Sequence, residues 1–148
     1  MDLDNSCLFS SIGYLISDEF SDITKLQYRQ LLVQWLESNT SIDNLLDKSK
    51  SEYIKYIEDI NTWGGAIELN IFSEMYQVQI ATIDTNTNNI YIFGEDKRYS
   101  QIIYLIYTGN HYDPLVMESS ENTNQDIKIF DSDDYQTLFD FKNYVNEL

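Results

Sequence analysis

The stretch Asp4-Asn5-Ser6-Cys7-Leu8-Phe9 begins the first apolar pattern of the chain and contains its only cysteine. Apolar residues then recur at Leu8, Ile12 and Leu15, which is the spacing of one face of a helix. The three residues before the cysteine are all helix-capping types, so we predict that a helix begins at about Cys7. Unpaired backbone N–H groups and the helix dipole favour negative charge at such a position. We therefore expect the Cys7 thiol to ionise more readily than a free thiol, and the thiolate is the nucleophilic form.

One histidine, His111, lies far downstream in Gly109-Asn110-His111-Tyr112-Asp113. A cysteine, a histidine and a carboxylate are the minimum set for a thiol hydrolase, because the imidazole can take the thiol proton while the carboxylate orients the ring. The chain therefore offers Cys7, His111 and Asp113 as candidate nucleophile, base and supporting carboxylate. Spacing alone leaves the structural alternatives open: a small buried thiol, a structural histidine and a turn-forming aspartate before Pro114.

A chain of 148 residues is long enough to bury one hydrophobic core, and we expect a single domain over residues 1–148. A single cysteine cannot form an internal disulfide, which fits a reducing compartment such as the cytoplasm or the nucleus. One cysteine and one histidine are too few for a structural zinc site, and we expect neither a metal nor a cofactor. The acidic, polar first residues predict no signal peptide, and no apolar run approaches the ~20 residues that span a bilayer.

The formal net charge of −16 limits the classes of partner. Such a charge repels phosphate backbones and anionic lipid surfaces, so we expect no nucleic-acid and no membrane partner. Two interpretations of the acidic surface stay open: it favours a basic partner, or it only keeps a monomer soluble.

Three helical patterns follow the first one, at Thr24–Asn39, about Ser41–Ile60 and Ala66–Tyr76. In the earliest of these we expect the following side chains to point inward: Leu31, Leu32, Trp35 and Leu36. The sequence Asn61-Thr62-Trp63-Gly64-Gly65 interrupts the helices, because two successive glycines allow a tight turn or a close approach of the backbone to another group. It is therefore either a simple turn or a loop that lines a binding site.

From Val78 onward the apolar period changes from that of helices to that of strands. Val78–Asp84 and Ile90–Phe93 predict a hairpin, and the unbroken apolar run Ile102–Tyr107 predicts a central strand that is covered on both faces. The remaining predicted elements are a strand Tyr112–Met117, a short edge strand Ile127–Phe130 and a terminal helix Ser132–Leu148 capped by Ser132 or Asp133. Helices first and a small, mostly antiparallel sheet second define an α+β fold.

Three segments resemble motifs of the ovarian-tumour (OTU) family of deubiquitinating cysteine proteases. The stretch around Cys7 is similar to the cysteine motif of that family, Thr62–Leu69 to its Trp-Gly-Gly segment and Ile106–Leu115 to its histidine motif. The three segments occur in the family's order, and the second and third most resemble the branch associated with the valosin-containing AAA ATPase. The resemblance implies a papain-like OTU fold, with the sheet packed between helices.

The resemblance also implies a role for each matching residue. Cys7 matches the nucleophile, His111 the general base and Asp113 the carboxylate that supports the imidazole. Asp4 matches an acidic active-site residue of the cysteine motif that orders the oxyanion loop. The residues assigned to the groove for the ubiquitin tail are Trp63, Gly64, Gly65, Glu68, Asn110 and Tyr112. Among them, Glu68 is the candidate partner for the arginines of that tail.

The resemblance therefore predicts a thiol-dependent isopeptidase that removes ubiquitin or trims its chains through an acyl-enzyme. Two alternatives stay open: a module that binds ubiquitin without cutting it, and a thiol protease that acts on another ubiquitin-like protein or an ordinary peptide. The intact set of Cys7, His111 and Asp113 favours the isopeptidase, since a pure binder has no need of all three.

Overall fold

The computed structural model describes residues 7–17, 22–38, 50–59, 64–118 and 126–148. Within these ranges the helices are α1 Cys7–Ser17, α2 Asp22–Ser38, α3 Lys50–Glu58, α4 Ala66–Tyr76 and α5 Tyr135–Asn146. The strands are β1 Gln79–Asp84, β2 Ile90–Phe93, β3 Gln101–Tyr107, β4 Tyr112–Leu115, β5 Met117–Glu118, β6 Asp126–Ile127 and β7 Phe130–Asp131. No helix in the described ranges has both the length and the apolar composition needed to cross a membrane.

Five of the strands form one mixed sheet in the order β2-β1-β3-β4, and β7 pairs with the start of β3. The predicted hairpin is confirmed, because β1 and β2 pair antiparallel with Ile83 opposite Ile90. Strand β3 pairs antiparallel with β4 and β7 but parallel with β1. The sheet is therefore mostly antiparallel, as predicted, with one parallel pair at its centre. This parallel pair places the last residues of β1 and β3, Asp84 and Tyr107, side by side.

Strand β3 lies at the centre of the fold, and its inner residues 102–106 are all buried. Successive side chains of a strand point to opposite faces of the sheet. Ile103 and Leu105 belong to a first core, which the sheet forms with α1 to α4. The intervening β3 residues belong to a second core, which the sheet forms with α5. The prediction of a strand covered on both faces is confirmed, and the sheet is packed between two helical layers.

The helices of the first core position the candidate site. Helix α1 begins at Cys7, as predicted, and buries the face formed by Leu8, Ile12 and Leu15. Helix α4 has the predicted bounds, Ala66–Tyr76. Because α1 packs against both α2 and β4, its first turn is held at the edge of the sheet where β4 begins.

Several predicted strand boundaries are wrong where the pairing between strands, and not the apolar pattern, sets them. The strand predicted for Tyr112–Met117 ends at Leu115, and Met117 instead begins β5, which pairs with β6. The edge strand predicted for Ile127–Phe130 is divided between β6 and β7, which pair with different strands. Two-residue strands have no apolar period of their own, so only the pairing defines them.

The terminal helix is confirmed but its predicted cap is wrong. Asp134 caps α5, with one carboxylate oxygen accepting the Thr137 N–H at 3.1 Å and the other accepting the Thr137 hydroxyl at 2.7 Å. Three consecutive residues, 132 to 134, are all capping types, and only the backbone geometry selects among them.

Two helix predictions need adjustment. The prediction that Leu31 points inward is wrong, because the buried stripe of α2 follows Tyr28, Leu32 and Leu36 and leaves Leu31 40% exposed beside it. Of the helix predicted for about Ser41–Ile60, the structure describes residues 50–59, and these form α3; the rest of that prediction lies outside the described residues.

Candidate active site

Cys7 is the first residue of α1, and its side chain is only 3% exposed. The backbone N–H of Tyr112 donates a hydrogen bond to the Cys7 Sγ at 3.4 Å. This contact joins residues that are 105 positions apart. A hydrogen bond donated to sulfur stabilises a thiolate more than a thiol, so the contact favours the nucleophilic form.

His111 occupies the turn that immediately precedes Tyr112, and it is 6% exposed. The turn is closed by the Thr108 N–H, which donates to the His111 carbonyl oxygen at 3.0 Å. Gly109 adopts a φ of 102°, a left-handed conformation that favours glycine. The backbone contact between Tyr112 and Cys7 therefore brings this histidine turn to the candidate nucleophile.

The imidazole of His111 has a defined partner for one of its two nitrogens. Its Nε2 lies 3.0 Å from the Asp113 Oδ1. Because an ionised carboxylate can only accept hydrogen bonds, Nε2 carries the proton in the neutral ring. Nδ1 is then the nitrogen that can take a proton from a thiol. The structure thus makes Asp113 a partner of the imidazole instead of only a turn residue.

Ser11 was not predicted from the sequence, although it lies at the same junction. Its hydroxyl lies 2.8 Å from the Cys7 carbonyl oxygen and 3.2 Å from the Tyr112 carbonyl oxygen, and the residue is fully buried. It links the first turn of α1 to the start of β4. The sequence does contain a signal for this role, because a serine on the buried side of an apolar helix needs a hydrogen-bond partner.

A groove of about 740 Å³ opens beside this junction. Four of the residues predicted for substrate binding line it: Gly64, Gly65, Asn110 and Tyr112. Its other walls include the ends of β1 and β3 and the strand β2. The rings of Tyr107 and Tyr112 stack there, with centroids 4.7 Å apart, and give one wall a rigid aromatic surface.

Gly64 lies in the part of the groove wall that contacts the first turn of α1. A Cβ atom added at Gly64 would lie 2.5 Å from the Leu8 Cδ2, so no side chain fits between this backbone and the residue after Cys7. The sequence leaves two interpretations of the double glycine: a simple turn or a loop that lines a binding site. The close approach to α1 and the position in the groove support the second interpretation.

Glu68 lies inside the protein, and the prediction that it pairs with arginines of a substrate is wrong. The residue is 4% exposed. One carboxylate oxygen accepts the Gly65 N–H at 2.6 Å, and the other accepts the hydroxyl of Tyr53. Burial raises the pKa of the Glu68 carboxyl, although these two hydrogen bonds partly oppose the shift. The position of Glu68 depends on Tyr53 of α3, and the segment Thr62–Leu69 that contains Glu68 does not include this helix.

Asp84 supplies the one carboxylate among the described residues that line the groove. Its Oδ1 accepts the backbone N–H groups of Asn86 at 2.8 Å and Thr87 at 3.3 Å, which fixes the side chain at the end of β1. The sequence signal for Asp84 is its position at the carboxyl end of a buried strand, before a polar turn. Only the parallel pairing of β1 with β3 places it near the histidine turn.

Two predicted site residues, Asp4 and Trp63, lie outside the described residues. Their proposed roles, ordering the oxyanion loop and lining the groove, stay predictions.

Comparison with known proteins agrees with this arrangement. A model of the family of OTU-like cysteine proteases matches residues 3–123. The ubiquitin thioesterase OTU1 of Dictyostelium discoideum is 39% identical over 145 residues, which cover 95% of this chain and 44% of the relative. The ubiquitin thioesterase OTU1 of Homo sapiens is 38% identical over 134 residues, which cover 88% of this chain and 38% of the relative. The chain thus spans less than half the length of these two relatives.

Solved structures show the same fold. An ovarian-tumour domain in complex with ubiquitin superposes with a TM-score of 0.78 at 29% identity, over 97% of this chain and 80% of that chain. The Hazara virus OTU domain bound to ubiquitin superposes with a TM-score of 0.62 at 21% identity, over 81% of this chain and 80% of that chain, which supports the fold alone.

The family match covers the cysteine helix, the double glycine and the histidine turn in one continuous segment. The double glycine and the histidine turn line the groove, and the residue after His111 contacts the thiol at the start of the cysteine helix. This chain therefore belongs to the family of OTU-like cysteine proteases.

Proposed function

We propose that this chain is a cysteine isopeptidase that removes ubiquitin from conjugates or trims ubiquitin chains. The observation that carries the proposal is the junction between α1 and β4. There the Tyr112 N–H donates to the Cys7 thiol, and the neighbouring His111 is held by Asp113 at 3.0 Å. A nucleophile, a base and an orienting carboxylate are together what acyl transfer to a thiol requires.

The reaction proceeds in two halves. In the first, His111 takes the thiol proton and the Cys7 sulfur attacks the carbonyl carbon of the isopeptide bond, forming a C–S bond. The imidazolium then gives its proton to the lysine nitrogen as the C–N bond breaks, which leaves a thioester on Cys7 and a free amine. In the second, His111 takes a proton from water as the water oxygen attacks the thioester carbonyl carbon and forms a C–O bond. The C–S bond then breaks, the imidazolium gives its proton to the Cys7 sulfur, and the released carboxylic acid loses its proton to solvent.

The tetrahedral intermediates carry a negative oxygen, and the start of α1 can stabilise it. The first backbone N–H groups of a helix have no partner within the helix and point outward at its amino end. Cys7 stands at that end, so the oxygen of its own adduct forms close to these groups.

The groove supports a ubiquitin tail as the bound segment. Gly64 and Gly65 give it a wall without side chains, against which an extended peptide backbone can lie closely. We assign the pairing with arginines of the tail to Asp84, the carboxylate in the described lining of the groove, in place of the buried Glu68. The names of the relatives, ubiquitin thioesterases, and an ovarian-tumour domain solved with ubiquitin support the same substrate.

A ubiquitin probe with a thiol-reactive group in place of its C-terminal carboxylate tests the proposal. We expect covalent capture by the wild-type chain and none by Cys7→Ala, while Cys7→Ala still binds a ubiquitin chain. Reversible binding by the wild type without capture would instead indicate a non-cleaving ubiquitin-binding module. Capture of a probe built on another ubiquitin-like protein, with no capture of ubiquitin, would indicate a different substrate.

The proposal includes a monomer that works in the cytoplasm and nucleus without nucleic acid or membrane. The net charge of −16 and the lone cysteine support this setting. Light scattering after size-exclusion chromatography measures the oligomeric state, and a mass near 17.4 kDa is expected.

A further inference from the structure

A buried acid–phenol pair lies directly behind the groove and takes no part in the reaction described above. One oxygen of the Glu68 carboxylate accepts the Gly65 N–H, and the other accepts the Tyr53 hydroxyl. Both side chains are buried, Glu68 at 4% exposure and Tyr53 at 3%. Neither can therefore touch a ligand in the groove, but Glu68 is bonded to its wall and Tyr53 is bonded to Glu68.

The described residues hold that wall mainly through contacts of its backbone. Glycine has no side chain to pack, so the position of a glycine segment depends on its backbone contacts. Gly64 rests against Leu8, and the Gly65 N–H is bound to Glu68 at 2.6 Å. The Gly65 carbonyl oxygen accepts the Leu69 N–H at 3.0 Å as the first bond of α4. Removing the Glu68 acceptor releases one of these three attachments and leaves a partly buried N–H without this partner.

The anchor for Glu68 is itself rigid. Tyr53 belongs to α3, and the last turn of that helix is tied down by a buried arginine, Arg29 of α2. The Arg29 Nη1 donates to the carbonyl oxygens of Ile57 at 2.9 Å and Asp59 at 3.1 Å. The guanidinium also lies 4.3 Å from the centroid of the Phe9 ring in α1. A continuous chain of contacts thus runs from the nucleophile helix through α2 and α3 to the glycine wall.

Glu68 also interacts electrostatically with Tyr112, which lines another wall of the groove. Burial raises the pKa of Tyr112, and the neighbouring Tyr107, Cys7 and Glu68 raise it further. Glu68 therefore stands near both the glycine wall and the residue whose N–H contacts the thiol. The catalytic residues nevertheless have their own supports, since Ser11 and Asp113 hold the first turn of α1 and the imidazole without it.

We propose that Glu68, supported by Tyr53, is a positioning residue that fixes the Gly64–Gly65 wall and thereby sets the affinity of the groove for the peptide tail of its substrate. This inference rests on the proposed function and deepens it. It assigns Glu68 an effect on substrate binding, through Gly65, and no effect on the chemistry at Cys7.

The test compares three variants with a fluorogenic ubiquitin C-terminal substrate. Glu68→Ala should raise KM by about tenfold while kcat changes less than about twofold, because one hydrogen bond to a charged acceptor is lost from the wall. Tyr53→Phe should raise KM by about threefold, since the bond to Gly65 is retained. Glu68→Gln should restore KM to within about twofold of the wild type, because its amide oxygen can accept the Gly65 N–H and its amide nitrogen can donate to the Tyr53 oxygen.

A second readout separates positioning from general loss of structure. The rate at which iodoacetamide alkylates Cys7, and its dependence on pH, should be the same in all three variants and the wild type. Asp134→Ala serves as the matched control, because it removes a hydrogen-bonded cap from α5 on the far side of the sheet. A similar rise in KM in that control would show that lost stability alone explains the effect and would overturn the inference.

The remaining outcomes are also decisive. An unchanged KM in Glu68→Ala, or a changed alkylation rate with unchanged KM, overturns the assignment. If Glu68→Ala does not fold, Tyr53→Phe decides, and an unaltered KM in that variant counts against the proposal. If the wild type binds ubiquitin without cutting it, the proposed isopeptidase fails, and the same variants are then compared through the Kd for ubiquitin.

Discussion

The two cores on either side of the sheet differ in the kind of residue that they bury. The first core contains the Cys7 thiol, and three buried polar residues beside it have partners in other elements: Ser11, Arg29 and Glu68. Aromatic rings pack in both cores, but the second core is built from aliphatic and aromatic side chains. There the Tyr104 ring centroid lies 4.8 Å from that of Phe141 and 5.7 Å from that of Phe130.

This difference predicts which core mainly fixes the geometry of the site and which mainly stabilises the fold. Apolar rings stabilise a fold in proportion to the area they bury, whatever their exact direction. Buried hydrogen bonds contribute less net stability because the groups lose water, but they fix the positions of the atoms they join. We therefore expect substitutions in the first core to change kinetic constants, and substitutions in the second core to change mainly the free energy of unfolding.

The largest effect is expected at the histidine turn. His111→Gln removes the base and should lower kcat/KM by at least about 10³-fold, because general base catalysis and the thiolate are lost together. Asp113→Ala keeps the imidazole but not its orientation, and should lower kcat/KM by about 100-fold. Hydrolysis of the fluorogenic ubiquitin substrate measures both. Retention of a tenth of the activity by His111→Gln would mean that another group supplies the base.

The next effect tests the second core. Phe141→Ala should lower the free energy of unfolding by about 3–5 kcal/mol, while KM and kcat of the folded protein stay within about twofold. Urea unfolding measures the first quantity and assays at low temperature the second. The matched variant in the first core, Phe72→Ala, should cost a similar amount and also impair turnover, since Phe72 lies in the helix that begins at the groove. If kcat and KM changed equally in both variants, the expected difference between the two cores would be wrong.

A smaller effect is expected at the groove. Asp84→Asn should raise KM by a factor of about three to five and leave kcat unchanged, because one partly exposed charge pair with the substrate is lost. Asp140→Asn changes the net charge by the same amount but lies on the exposed side of α5, and its KM should not move. Equal shifts in the two variants would assign the effect to the overall charge of the protein and not to this carboxylate.

The smallest effect concerns pH and the first core. The pKa of Glu68 is raised in the folded state, so ionisation at higher pH favours the unfolded chain. The protonated carboxyl stabilises the folded protein at pH values below about 4.5, which is its pKa in the unfolded chain. This stabilisation is lost as the pH rises through the higher pKa of Glu68 in the folded protein. The Glu68→Gln variant has a side chain that does not titrate in this pH range. Its stability relative to the wild type should therefore improve between pH 4.5 and neutrality in urea titrations, and a constant difference would contradict the shift.

The local elements of the fold could be predicted because their signals lie within the elements. The helix that begins at Cys7, the helix Ala66–Tyr76 and the central buried strand follow from apolar spacing together with capping residues and the double glycine. The likeness of three segments to one family also gave the candidate nucleophile, base and carboxylate. Each of these features depends on residues that are neighbours in the chain.

The inward position of Glu68 could not be predicted, because it depends on Tyr53, which belongs to a different helix. The role of Asp84 depends on the parallel pairing of two strands that are separated by a hairpin. The pairing of Met117 with Ile127 involves two-residue strands whose sequences carry no period. In each case the missing information is a contact between two separate elements of the fold.

The bond from Tyr112 to the Cys7 sulfur has a consequence for how the protein is made. Cys7 is synthesised 105 residues before Tyr112, whose N–H donates to its sulfur, so the thiol is made before its histidine. A growing chain that has not yet produced β4 carries the cysteine without its proton acceptor. We therefore expect the thiol to become reactive only after β4 has been made and has packed against α1.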